Sequence, residues 1–153
     1  MKVTVRNLIR AAGLSAVVAG AIFAAILPIR QPDVLASVNT SAFILITSIK
    51  TVMSIFGLLG ITGLYARQVE EAGWLGLTGY LLLTTYFAVQ MCISFIEPTV
   101  LPLLTSVAPA FVESALAMRS ETTGSMNLGA LQTVYYLASV LFLFGLVLFG
   151  IAT

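Results

Sequence analysis

Apolar positions fall into four long blocks separated by short polar stretches, and the blocks are too long and too continuous for the faces of a soluble helix. The first block, 11–29, follows a basic start (Lys2, Arg6, Arg10) and matches the ~20 residues needed to cross a hydrocarbon core of ~30 Å. Within it Gly13, Ala16, Gly20 and Ala24 recur at helical spacing, which predicts a small-residue face for a neighbouring helix. A polar connection, 30–40, carries Pro32, Asp33 and the candidate caps Asn39 and Thr40. The second block spans 41–65, about 37 Å as a helix, so it must tilt or project. The third runs 74–97 and ends at Glu97-Pro98, with Pro102 and Pro109 beyond. These prolines withdraw backbone donors, so the helix stops there or continues with a kink. A kinked extension through 99–104 is expected, then a short amphipathic helix over 109–118 and a solvated loop at 119–125. The fourth block spans 127–152, with Gln132, Tyr136 and Ser139 on one face. The expected fold is all-α: a single domain, 1–153, forming an integral membrane four-helix transmembrane bundle with antiparallel neighbours and an outer connection at 98–126.

Between the second and third blocks lies GLLGITGLYARQVEEAGWLGLTG, which holds six of the chain's twelve glycines: Gly57, Gly60, Gly63, Gly73, Gly76 and Gly79. One glycine in every three on each side of a charged loop, Arg67–Glu71, predicts a helical hairpin whose backbones approach closely. Glycine is frequent in membrane helices generally, so the triplets also fit composition alone. Arg67 at the end of one helix, and Glu70 and Glu71 before the next, complement the helix dipoles. Tyr65 and Trp74 suit a membrane boundary.

Composition strengthens the membrane reading. Of 153 residues 59% are hydrophobic and 8% charged, against about 25% charged in soluble domains; mean hydropathy is +1.08. A net charge of +1 without a basic patch gives no case for nucleic acid. The chain has no histidine, which removes His-ligated haem, imidazole zinc sites and His-based nucleophile pairs. Six scattered carboxylates predict no metal cage, and no cofactor is expected. Cys92 is alone and reads as a packing residue. Met53, Met91, Met118 and Met126 share no face that would suggest copper.

A basic start, an apolar run and Val34-Leu35-Ala36 fit a cleaved signal, but the length of the run and its prolines favour a retained span. Lys2, Arg6, Arg10 and Arg67 on one side, against Arg30 and Arg119 on the other, predict that both termini and the glycine-flanked loop are cytoplasmic. The last block ends without a charged residue, which fits a longer parent chain.

One polar constellation stands within the apolar blocks. Tyr86, Gln90, Ser94 and Glu97 share a face of the third helix, while Lys50 and Ser54 lie a turn apart on the second. A lysine near mid-span costs ~2.5–3.5 kcal/mol. Twelve Leu, Ile, Phe and Val residues between Phe43 and Leu64 offset that cost. Lys50 lies roughly 13 Å and Gln90 roughly 10 Å below the outer end, so the ammonium, snorkelling outward, reaches Gln90, Ser94 or Glu97. Three arrangements fit this pattern. Lys50 simply snorkels, or it pairs with Glu97 as a latch between helices, or the six residues line a pocket open to the outer face, as intramembrane ionisable groups often do.

The stretch Gly63–Tyr80, with Glu97 and Leu101-Pro102-Leu103-Leu104 later, resembles a family of uncharacterised bacterial integral membrane proteins carrying a GxYARQVExAGWLGLxGF-like loop. Ala12–Ala16 and Asn127–Leu131 add to the likeness. The resemblance implies a multi-pass protein of the bacterial inner membrane, in a family whose members tend to be longer, and assigns no role to any residue. Two functions are expected from the pattern. One is a non-enzymatic protein that binds or helps to move a small amphipathic ligand, such as a lipid, through the polar pocket. The other is a structural or accessory subunit whose small-residue faces pack against a second copy or another membrane protein. An enzyme is the weakest reading, because no nucleophile–base pair is visible.

Overall fold

The computed structural model describes residues 4–120, 122 and 124–152; Lys2, counted in the charge asymmetry, and the final Thr153 lie outside them. All regular secondary structure among the described residues is helical, without strands. Helix α1 (Val5–Ile26) begins at Thr4, whose side chain accepts from the Asn7 N–H. It tightens into a 3-10 turn at Leu27–Ile29, where Pro28 removes a donor. A four-residue helix, α2 (Leu35–Val38), leads into α3 (Ser41–Thr99). There the Thr40 hydroxyl accepts from the Phe43 N–H at 3.2 Å. Two short elements follow, α4 (Leu101–Leu104) and α5 (Pro109–Arg119), before α6 (Ala130–Ala152).

Among the described residues three helices are long and apolar enough to cross a membrane: Arg6–Ile29, Ser41–Thr99 and Ala130–Ala152. The second and third expected blocks both belong to α3. It is interrupted by non-helical geometry at Gly73, with φ 53° and ψ −158°. Arms 41–72 and 74–99 double back from there. Tyr65 stacks on Tyr80, with ring centroids 4.5 Å apart and planes 8° from parallel; farther out, Gly57 faces Phe87; farther still, Lys50 pairs with Glu97.

The charged loop expected at Arg67–Glu71 is instead helical. Ala66, Arg67, Gln68, Glu70, Glu71 and Ala72 are good helix formers, and charges of opposite sign three and four apart support a helix as readily as they flank a loop. Within α3, Gly73 takes a positive-φ, extended conformation that other residues avoid, so the reversal is concentrated there. Trp74 beside it is 84% exposed.

The glycine triplets also differ from the expected arrangement. The atoms nearest to each are not those of the other triplet. A methyl group on Gly60 would lie 2.7 Å from the Ala16 Cα, and one on Gly63 would meet Ala12, both on α1. One on Gly79 would lie 2.5 Å from the Phe149 N, and one on Gly76 would meet Ala72 on its own chain segment before the break and Ala152 on α6. Only Gly57 faces well into the other arm, where the Phe87 ring occupies the space a side chain would need. Of the small-residue face expected on α1, Ala16 meets Gly60, while Gly13 and Gly20 have nothing within 4 Å of an added methyl; the other close approach, at Ala12, lies outside that face.

At the far end, α3 keeps Pro98 within its last turn and breaks at Val100; Pro102 then occupies the first turn of α4, where its missing N–H costs nothing. The last helix starts at Ala130 rather than 127, because Gly129 takes φ 55° and the Asn127 side chain accepts from its N–H at 2.8 Å. Two apolar clusters result. Ile61, Leu83 and Phe149 pack near Gly73, and Val38, Phe43, Leu101, Val112, Ala115 and Leu116 pack where α2, α4 and α5 cover the opposite end.

Candidate functional site

The polar residues lie between these two clusters along the arms of α3. Lys50 approaches Glu97 at 3.9 Å, Nζ to Oε2, close enough for an ion pair and too far for a hydrogen bond. Gln90 donates from Nε2 to the Ser94 hydroxyl at 3.0 Å, a one-turn contact within the same arm.

Not all the expected residues converge. Ser54 is buried and its hydroxyl donates to the Lys50 carbonyl at 2.9 Å, as Thr47 does to Phe43 at 2.7 Å; such bonds satisfy a buried hydroxyl within its own helix. Ser94 is likewise buried and serves Gln90. Neither lines a cavity. Tyr86 lies in an apolar slot beside α6, against Phe142 at 4.7 Å between ring centroids.

Three residues from the connections complete the charge cluster and were not anticipated. Asp33, after the 3-10 turn, is bonded by Arg30. Arg119, at the C-terminal end of α5, lies 3.3 Å from Asp33 Oδ1 through Nη1 and 3.4 Å from Glu97 Oε1 through Nε. Its guanidinium also stands 5.8 Å from the centre of the Phe43 ring, within cation–π range. The side chains of Asp33, Glu97 and Arg119 are 6, 5 and 10% exposed, so these charges are removed from water and hold one another in place. A clue was present in the sequence: opposite charges three apart at Arg30 and Asp33, in a Pro-flanked connection. Arg119 offered none, because it meets these partners only across a long stretch of chain; Arg30 reaches its carbonyl from 89 positions away.

Beside the cluster is a cavity of about 840 Å³, lined by Arg30, Lys50, Gln90, Glu97 and Arg119 on one side and by Gln132, Tyr135, Tyr136 and Ser139 of α6 on another. The face read from Gln132, Tyr136 and Ser139 thus turns to the same space. Residues 124–128 close it from the connection. They are fixed by the buried Ser114 hydroxyl, which accepts from the Met126 N–H at 3.0 Å, and by the close approach of Gly124 to the backbone of Ser114. A second space of about 380 Å³ shares Gln90, Ile93, Tyr135 and Ser139 with the first and continues along Tyr86, Ala138, Phe142 and Leu143. Both volumes fall in the range of small-molecule sites.

Among the described residues no group of three or more Cys, Asp or Glu side chains is arranged to hold a metal ion. The site can pair charges, donate hydrogen bonds and enclose an apolar chain. Compared with family models, curated proteins and solved structures, the chain matches none.

Proposed function

We propose that the chain is a non-enzymatic, multi-pass protein of the bacterial inner membrane that binds, or helps to move, a small amphipathic ligand through its polar cavity. In this reading α1, the two arms of α3 and α6 are four spans of a transmembrane bundle, drawn together by the glycines at 57, 60, 63, 76 and 79. Gly73 and both termini face the cytoplasm, and the cavity faces outward. The single observation that carries the reading is the cavity of about 840 Å³ with five charged residues in or beside it, set among otherwise apolar helices. A charged cluster in such surroundings is expensive, and a purely structural latch does not call for an adjoining space of this size. The orientation rests on Arg6, Arg10 and Arg67, with Lys2 of the sequence, against Arg30 and Arg119.

Two measurements test it. In a Cys92→Ala background, Ser125→Cys should react with a membrane-impermeant maleimide on intact cells, and Gln68→Cys only after permeabilisation; the reverse pattern overturns the orientation. Mass spectrometry of the protein purified in a neutral detergent should find a retained amphiphile that Lys50→Met loses. Identical retention by a folded Lys50→Met chain would remove the cavity as the site.

A second reading, an accessory subunit that packs against another copy or another membrane protein, is favoured by one observation: Gly13 and Gly20 stand open on α1. A stable complex in mild detergent that Gly13→Leu and Gly20→Leu dissolve would support it.

A further inference from the structure

We infer that the cavity selects an anionic amphiphile, with a phosphate or carboxylate headgroup held near Lys50 and Arg30 and an aliphatic tail in the slot between the second arm of α3 and α6. This rests on the ligand-binding reading above and adds the charge and shape of the ligand to it.

The charge follows from the cluster's own balance. Three cations, Arg30, Lys50 and Arg119, face two carboxylates, Asp33 and Glu97, leaving one positive charge in excess among the described residues. Glu121 of the sequence lies outside them. Asp33 is engaged by both arginines, and Glu97 by Arg119 and Lys50. The loosest of these pairs is the one to Lys50, at 3.9 Å. Its ammonium belongs to a residue lining the cavity, and that distance leaves its donors short of a hydrogen bond to Glu97. Arg119 Nη1 and Asp33 Oδ1 are both buried without a hydrogen-bond partner among the described residues, but they face each other as an ion pair at 3.3 Å and so leave no charge over. Glu97 Oε2 is buried without a donor as well, but two cations already flank that carboxylate. What points to an oxyanion is the excess of one cation together with the Lys50 donors left short of Glu97.

The shape follows from how the two spaces join. Around the larger one the headgroup meets Lys50, Arg30, Gln90 and Gln132. Through the shared Gln90, Tyr135 and Ser139 it opens into the slot beside Ala138, Phe142 and Leu143, which no charged side chain lines. A free anion would fill the polar part alone, and an apolar molecule would leave the excess charge unmatched.

Thermal unfolding of the full chain in a neutral maltoside detergent tests this, because a ligand that binds only the folded state raises the transition in a saturable way. Dodecyl phosphate should give a saturable rise; dodecyltrimethylammonium, of the same tail and opposite charge, should give none; inorganic phosphate at matched concentration should give a much weaker one. Lys50→Gln should weaken the dodecyl phosphate titration by roughly tenfold, the worth of one charge-assisted hydrogen bond. Arg30→Gln, on the half-exposed rim, should move the same titration, so the test survives if Lys50→Gln does not fold. Ser139→Phe, an exposed position at the junction, should weaken dodecyl phosphate and leave inorganic phosphate unchanged. Equal rises with the two amphiphiles would overturn the selectivity for anions while leaving the amphiphile site intact. Inorganic phosphate matching dodecyl phosphate would overturn the tail slot. If no compound gives a saturable rise, the ligand-binding reading itself falls.

Discussion

Glu97 is the residue on which most of the buried electrostatics turns. It lies between Lys50 and Arg119, is 5% exposed at the side chain, and stands one position before a proline. Removing one partner of a buried pair leaves the others charged and uncompensated, at a cost of about 3–5 kcal/mol. Glu97→Gln should therefore lower the unfolding stability by that order, as read by denaturant titration in detergent, whereas Glu113→Gln on the exposed side of α5 should change it by less than about 0.5 kcal/mol. Equal effects would show that the cluster carries no special stability. Lys50, Gln90 and Glu97 were legible in the sequence, because ionisable and amide side chains at helical spacing inside apolar runs have few innocent explanations. Ser54 and Ser94 were legible as sharing that face, but a hydroxyl can be satisfied one turn away on its own helix, and both are. Asp33 was legible only as a charge opposite Arg30, and Arg119 not at all: both sit outside the long helices, and only the docking of α5 brings Arg119 to Asp33 and Glu97.

At the level of the element, the hairpin was readable and its turn was not. Glycine density marks the region correctly, but polarity at 67–71 suggests a loop where helix propensity is in fact high. The break is a single residue whose geometry only glycine adopts readily, and Gly73→Ala should cost about 1–3 kcal/mol through that conformation alone, since nothing lies within 4 Å of an added methyl. Gly13→Ala, equally open but helical, should be neutral or slightly stabilising. Comparing the two by thermal unfolding separates backbone strain from contact; similar losses at both would argue that Gly73 is not the pivot. Gly60 belongs to a third class. Its problem is the Ala16 backbone on α1, so Gly60→Leu should push two helices apart and cost about 1–3 kcal/mol or more.

For the whole molecule, the sequence conveyed an all-helical, apolar chain and the approximate extent of its long helices. It did not convey which helix touches which. The small residues pair α1 with the first arm of α3 and α6 with the second, as Gly60 with Ala16 and Gly79 with Phe149 show, while the expected pairing was between the two glycine triplets themselves. Small-residue spacing reports that a backbone will be approached closely; it does not say by whom.

Because α1 and α6 each pack chiefly on α3, the two flanks share a support and little or no surface with each other. Their energetics should then be separable. Substitutions that crowd one flank, such as Ala16→Leu, and the other, such as Gly145→Leu against Leu83, should give stability losses that add within about 0.5 kcal/mol in a double-mutant cycle. A coupling well above that would mean the two outer helices communicate through α3, turning a passive support into a relay between them.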